Sequence, residues 1–174
     1  SDDDYCKGSA LRGSGNENAV LEVNGCLFQS MPGNTRMQRA IGTGGSATNI
    51  SVTGGNAKVT VGTHDGTPTG KRTRFVNCNR TIVHTSMVDL RIDGADFEGC
   101  NVAIAANTIG NLFLSRMQIS GCPSGLVLTD VGVLVSDSID FINTLYAVVV
   151  SWAQIFNPQI STTGMTFDEN SYVK

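Results

Sequence analysis

The sequence predicts an all-β protein, a right-handed parallel β-helix (solenoid) with coils of about 22 residues, a period in the range of stacked repeats. Three observations predict it. A four-residue motif returns at a fixed interval, several columns of like residues keep that interval, and the composition is one of strands and turns. The motif reads Phe75-Val-Asn-Cys78, Phe97-Glu-Gly-Cys100, Ile119-Ser-Gly-Cys122 and Phe141-Ile-Asn-Thr144, with the same step from each copy to the next. Phe167-Asp-Glu-Asn170 follows after a step longer by four, so the final turn carries an insertion, placed within Asn157–Gly164.

The columns keep step with the motif. Ile82, Ile104, Leu126 and Val148 share one apolar position; Leu90, Leu112, Leu134 and Phe156 share a second; Met87, Ile109, Val131 and Ala153 share a third. Thr85, Asn107, Thr129 and Ser151 form a polar column suited to a turn or an outward face. A run as short as Leu90-Arg-Ile92 or Leu112-Phe-Leu114 cannot bury its apolar side alone. Stacked on the next coil at roughly 4.8 Å, it gains a full ladder of backbone hydrogen bonds. Like side chains then lie over one another inside the coil: Phe75, Phe97, Ile119, Phe141 and Phe167 in one stack, Cys78, Cys100 and Cys122 in another.

Composition points the same way. Gly, Thr, Ser, Asn, Val and Ile dominate, while Lys and Glu appear four times each, too few to clothe surface helices. Helical repeats of similar length would need a long run of 3.6-period pattern, which Val131-Gly-Val-Leu-Val135 and Asn143–Val150 contradict. The Leu-rich consensus of leucine-rich repeats is absent.

Along the chain, residues 1–18 are acidic and rich in Gly, Ser and Asn, and read as a flexible N-terminal arm. Residues 19–174 read as a single β-helix domain, with irregular coils over 19–74 and regular ones over 75–174. Ala19–Phe28 reads as a strand pair in which Val23-Asn-Gly-Cys26 echoes the later motif. Met31-Pro-Gly-Asn34 is a turn signal, and Gly42–Ser46 and Gly62–Gly70 read as loops. The irregular part should supply one to three turns of the same solenoid.

Net charge is −3, without the basic footprint of a nucleic-acid binder. The longest apolar stretch, near Leu145–Val150, is too short to span a bilayer, so neither nucleic acid nor membrane is an expected partner. Ser1-Asp2-Asp3-Asp4 lacks the basic-then-apolar start of a signal peptide. Five cysteines show no zinc-site spacing, and the two histidines, His64 and His84, stand apart, so no metal and no cofactor is expected.

The candidate chemistry is acidic. Asp96 and Asp140 share a column two coils apart, as do Asp93 and Asp137, which puts each pair roughly 9.6 Å apart, near the upper limit for an inverting glycosidase. Against this, aspartates cap turns, and Gln118 and Ser115 intervene. Trp152, the only tryptophan, shares its column with Ser86, Thr108 and Asp130, whose polarity suggests an outward position for stacking on a sugar or filling an interface; a packing role is the alternative. The stacked cysteines read as small buried side chains, with cross-linking the alternative. Cys6, in the arm, is the candidate for an intermolecular disulfide. Lys71-Arg-Thr-Arg74 reads as a solvated turn.

The short stacked coils, the Gly/Thr/Asn-rich turns and the low Lys/Glu content of residues 20–174 resemble the β-helical parts of bacteriophage tailspikes and related virion proteins. The resemblance implies a homotrimer that docks on a larger virion assembly, here through the N-terminal arm, and that meets surface polysaccharide. The expected function is therefore a non-enzymatic structural or adhesion component of a virus particle, of phage by that resemblance: a capsid decoration, head fibre or tailspike-like module located in the virion. The alternative is an extracellular polysaccharide-binding or -cleaving β-helix, a glycoside hydrolase or lyase using two of Asp93, Asp96, Asp137 and Asp140.

Overall fold

The structure, a computed structural model, describes residues 11–14, 20–29, 48–53, 58–85, 89–151 and 159–174. Among them there is no helix, and every strand pairs in parallel with the equivalent strand of a neighbouring coil. The chain is a β-solenoid. Strands β1 (Leu11–Ser14), β2 (Val20–Asn24) and β3 (Leu27–Gln29) belong to one coil, and β4 (Thr48–Thr53), β5 (Lys58–Gly62) and β6 (Thr73–Val76) to the next. Then come β7 (Arg80–Thr85), β8 (Leu90–Asp93) and β9 (Ala95–Glu98), followed by β10 (Val102–Ser120) and β11 (Ser124–Ile142), each of which runs round a whole coil. β12 (Tyr146–Ser151), β13 (Gln159–Ile160) and β14 (Met165–Phe167) make a further coil, and β15 (Tyr172–Val173) stacks on β12.

Each coil has three faces. The first stacks β1, β4, β7, β10, β11, β12 and β15; the second stacks β2, β5, β8, β10, β11 and β13; the third stacks β3, β6, β9, β10, β11 and β14. In the regular part the register is the sequence period itself: Ile82 lies on Ile104, Ile104 on Leu126, and Leu126 on Val148. Those residues are buried, as are Leu90, Leu112, Leu134, Ile109 and Val131. Met87 and Ala153 lie outside the described residues. The polar column Thr85, Asn107, Thr129 and Ser151 is in register too, with Asn107 and Ser151 exposed.

The coil turns its corners on residues in the left-handed backbone region. Thr108 and Asp130 stand at the corner between the first and second faces, with φ of 54° each. Gly94, Arg116, Ser138 and Gly164 stand at the next corner, and Asn77, Gly99, Gly121 and Asn143 at the third. A single such residue bends an extended chain sharply, and stacking the bend in every coil leaves the hydrogen-bond ladder on both sides intact. That is why β10 and β11 pass two corners without ending. The left-handed conformation costs a residue with a Cβ about 1–2 kcal/mol, least for Asn and nothing for Gly, which accounts for the Asn and Gly of the third corner.

Inside, the third face carries the aromatic stack. Phe75 and Phe97 lie parallel with centroids 4.9 Å apart, and Phe141 lies on Phe167 at 5.2 Å. Ile119 fills the rung between Phe97 and Phe141. The stack begins one coil earlier than the sequence suggests, at Phe28, 5.0 Å from Phe75. The resemblance of Val23-Asn-Gly-Cys26 to the later motif is therefore a false register: Val23 pairs with Val61 on the second face, and Phe28, not Val23, is the counterpart of Phe75. Cys26 is exposed and lies outside the cysteine column.

That column is Cys78, Cys100, Cys122 and then Thr144, all buried, and no disulfide joins the described cysteines. Cys100 Sγ donates to the carbonyls of Phe75 and Glu98 at 3.5 and 3.6 Å; Thr144 Oγ1 donates to those of Ile119 and Ile142 at 3.1 and 3.3 Å. The two acceptors are therefore equivalent positions in each coil, one at the head of the preceding motif and one two places before the donor itself. The position asks for a small side chain with one donor, which both thiol and hydroxyl satisfy. The neighbouring Cys100 thiol, and then burial, push the Cys122 thiol up from its ordinary value, so it stays protonated.

Two further expectations change. The insertion in the last full coil falls before Gln159, not within Asn157–Gly164: Thr129 still lies on Ser151, but Val133 lies on Gln159. Ile160, rather than Phe156, thus continues the column of Leu90, Leu112 and Leu134. A period locates an insertion only between two matched motifs; the ladder decides the rest. Within the segment read as an arm, Leu11–Ser14 form β1, which pairs with Ile50–Thr53 because β4 offers it a complete row of backbone partners. Cys6, Trp152, Met31–Asn34 and Gly42–Ser46 lie outside the described residues.

Candidate functional site

The corner between the second and third faces holds an open groove of about 480 Å³ lined by Arg72, Asp96, Arg116, Gln118, Ser138 and Asp140, with Met117 at its base. Three of these come from one repeat position. Arg72, Gly94, Arg116 and Ser138 recur at the period of the regular coils, and the registers of Thr73 on Ala95 and Ser115 on Asp93 and Asp137 stack them at this corner. The loop of residues 63–72, closed by a hydrogen bond from His64 N to the Lys71 carbonyl at 2.8 Å, delivers Arg72 to the first of those rungs.

Arg72 grips Asp96. Its Nε donates to both carboxylate oxygens at 2.9 and 3.0 Å, and its Nη2 lies 2.7 Å from Oδ1. The same Nη2 donates to the carbonyls of Ala95, on the next coil, and Arg116, on the one after. It reaches that far because the intervening residue of the column is Gly94, which has no side chain. Gly94 also has φ +85°, and a Cβ there would stand 2.5 Å from Cγ2 of Thr63, so this rung demands glycine twice over.

Arg116, bent into the left-handed region, turns back to Asp93: Nε donates to Oδ1 at 2.6 Å, and Ser115 Oγ donates to the same oxygen at 2.7 Å. The Arg116 hydrogen bond, helped by Ser115, holds the Asp93 carboxyl below its ordinary range against a smaller opposing effect of burial. Asp137, two rungs beyond Asp93, is exposed and accepts from Ser138 Oγ at 3.1 Å. Asp140, two rungs beyond Asp96, accepts a hydrogen bond from Thr166. Gln118, between them, is exposed over the groove.

The columns expected for the four aspartates are therefore present, and Asp96 and Asp140 line one groove. The acid–base roles do not follow from them. Two rungs separate each pair by roughly 9.6 Å, at the far end of the span that suits a single water between carboxyls. A general acid also needs a carboxyl held above its ordinary pKa, whereas Asp93 is held below it and Asp96 is clamped by a guanidinium. The arrangement offers paired charges, amide and hydroxyl groups along an open edge, a surface that can hydrogen-bond a polar ligand.

Sequence pattern alone misses both arginines. Arg72 reads as part of a solvated basic turn, and Arg116 joins no motif at all; their shared repeat position with Gly94 and Ser138 is the available signal. Of the residues that share a column with Trp152, Thr108 is partly exposed and Asp130, at the same corner, is buried. Among the described residues no His, Cys, Asp and Glu come together in a group that could hold a metal, and no helix is long and apolar enough to cross a membrane. Comparison with family models, curated proteins and solved structures finds no match.

Proposed function

We propose that this chain is a non-enzymatic adhesion module of a virus particle, of phage by its architectural resemblance: a β-solenoid that assembles as a homotrimer in the virion and holds surface polysaccharide along its corner groove without cutting it. The link from solenoid to virion is an analogy of architecture. The observation that carries the non-enzymatic part is the clamp of Arg72 on Asp96, beside that of Arg116 on Asp93, which commits two of the four candidate carboxylates to structure. What remains open to solvent, Gln118, Asp140 and Ser138, suits the hydroxyls of a sugar chain.

The test is a panel of capsular polysaccharides and lipopolysaccharides, each read for retention of the protein and for release of reducing ends. Retention on at least one glycan without new reducing ends is the expected result. Reducing ends that appear with the native chain and vanish in Asp96→Asn or Asp140→Asn would overturn the non-enzymatic reading. Absence of retention on every glycan, together with no association with particles, would overturn adhesion altogether.

A further inference from the structure

The charges around the corner groove are unequal, and the inequality defines the class of glycan it can hold. Two guanidinium groups, of Arg72 and Arg116, stand among four carboxylates, of Asp93, Asp96, Asp137 and Asp140. Each arginine is matched, Arg72 by Asp96 at 2.7 Å and Arg116 by Asp93 at 2.6 Å. Nη2 of Arg72 also donates to two backbone carbonyls, and Nη1 of Arg116, which meets no acceptor, is closed to solvent. The two remaining carboxylates, Asp137 and Asp140, lie on the coil beyond, are exposed, and form no ion pair among the described residues. Other charges nearby do not cancel them. Arg74 pairs with Glu98 at 3.3 Å, and the exposed Lys71, which does not line the groove, would offset only one.

We infer that the groove takes a neutral polysaccharide, one that donates hydroxyl or amide hydrogens to Asp140 and Gln118, and rejects chains bearing carboxylate, sulfate or phosphate. A carboxylate accepts hydrogen bonds and donates none, and the bond it accepts from a hydroxyl is of the strong, charge-assisted kind. Asp140 accepts from Thr166 through Oδ1, which leaves its second oxygen for a ligand. Gln118, one rung back in the same column and exposed, offers both an acceptor and donors, so it serves a sugar hydroxyl in either sense. An anionic chain would set acceptor against acceptor at Asp140, and like charge against like charge. One such contact at ~4 Å in water weakens binding roughly fivefold. The net charge of −3 acts in the same direction at longer range.

This inference rests on the glycan-retention part of the proposed function and adds the charge class to it. The probes are uronic-acid capsular polysaccharides, each immobilised beside its carboxyl-reduced form, which keeps the linkages and loses the charge. Binding is read at about 0.01 M salt, where screening is weak. On at least one pair the native chain should bind the reduced form, and the untreated form at least roughly fivefold more weakly. Asp140→Lys should narrow or reverse that ratio. Gln118→Glu, which adds a negative charge to the groove, should widen it, and loss of folding cannot produce two opposite shifts. Glu22→Lys, exposed on the second face away from the groove, changes the net charge as Asp140→Lys does and should leave the ratio near the native one. Untreated forms bound as tightly as reduced ones or more so, a ratio that Asp140→Lys and Glu22→Lys shift equally, or a ratio that neither groove variant moves, would overturn the charge selection and leave adhesion standing. Retention of no glycan, neutral or anionic, would overturn both.

Discussion

Replacing Phe97 by alanine tests whether the third face closes a dry interior. Phe97 is fully buried and stacked on Phe75 at 4.9 Å, with Ile119 on its other side. An aromatic side chain of this kind buries roughly 150–250 Å², and at ~25 cal/mol per Å² its removal forfeits about 4–6 kcal/mol of transfer free energy. Partial collapse of the neighbours returns some of that, so the expected loss is about 3–5 kcal/mol. Against a total of about 5–15 kcal/mol for a domain, such a loss is large. Phe167, at the end of the same stack, is 40% exposed, and Phe167→Ala should therefore cost about half as much or less. Phe97→Leu should also cost well under half, because the next rung already accommodates the aliphatic Ile119. Urea unfolding followed by far-ultraviolet circular dichroism, with the m-value checked for constancy, measures all three. Equal losses at Phe97 and Phe167, or a loss below ~1 kcal/mol at Phe97, would refute the closed aromatic column.

Two other perturbations address the packing of one rung and the charged corner. A Cβ added at Gly125 would stand 2.6 Å from the carbonyl oxygen of Ala147 and 2.8 Å from the Phe141 ring, so Gly125→Ala should destabilise by about 1–3 kcal/mol; a gain in the urea midpoint would show that the rungs are looser than these contacts imply. On acidification, Asp93, held down by Arg116, Asp65, held down by the Thr67 amide, and Asp168, held down by Ser171, all act in one direction. A carboxyl depressed in the folded state contributes stability above its unfolded pKa of about 3.9, and that contribution is lost as pH falls through the lower folded value. Urea midpoints should therefore stay flat from about pH 7 to 5 and drop below about pH 4. Asp93→Asn should make the acid limb shallower while costing less than about 1 kcal/mol at neutral pH, since the pair is partly exposed; an unchanged acid limb would count against the Asp93–Arg116 pair.

Much of the fold was legible because a solenoid writes its register into the sequence twice, once as a period and once as side-chain type. The steps from Phe75 to Phe97, Ile119 and Phe141 became the ladder without adjustment. Legibility failed where the coils change length. The step from Val59 on β5 to Leu90 on β8 is longer than the regular period, and the step from Leu11 on β1 to Ile50 on β4 is longer still. Excursions such as residues 63–72 leave the solenoid at a corner and return, and nothing in hydrophobic pattern reports how much chain an excursion holds. The motif Val23-Asn-Gly-Cys26 misled for a related reason: an apolar residue, a turn and a cysteine suffice to copy the appearance of the repeat, whereas only the following Phe28 shares its place in the core.

The site was harder to see, and the reason lies in what a corner asks of its residues. A core position selects on size and polarity, so a column of Phe and Ile announces itself. A corner position selects on backbone conformation, which Gly, Arg, Ser, Thr, Asp and Asn all meet here, so Gly94, Arg116 and Ser138, stacked after Arg72 at the end of its loop, have no common chemistry to notice. Yet the variation has a logic. Glycine at 94 leaves the space through which Arg72 crosses to the Arg116 carbonyl, and a carboxylate one residue before or two after the corner, Asp93 or Asp96, receives each guanidinium. Periodicity identified the aspartates because aspartate recurs in register; it passed over the arginines because their partners lie on neighbouring rungs. In a stacked fold the informative unit for a surface site is thus the short diagonal across two or three coils, read at the positions where the chain bends.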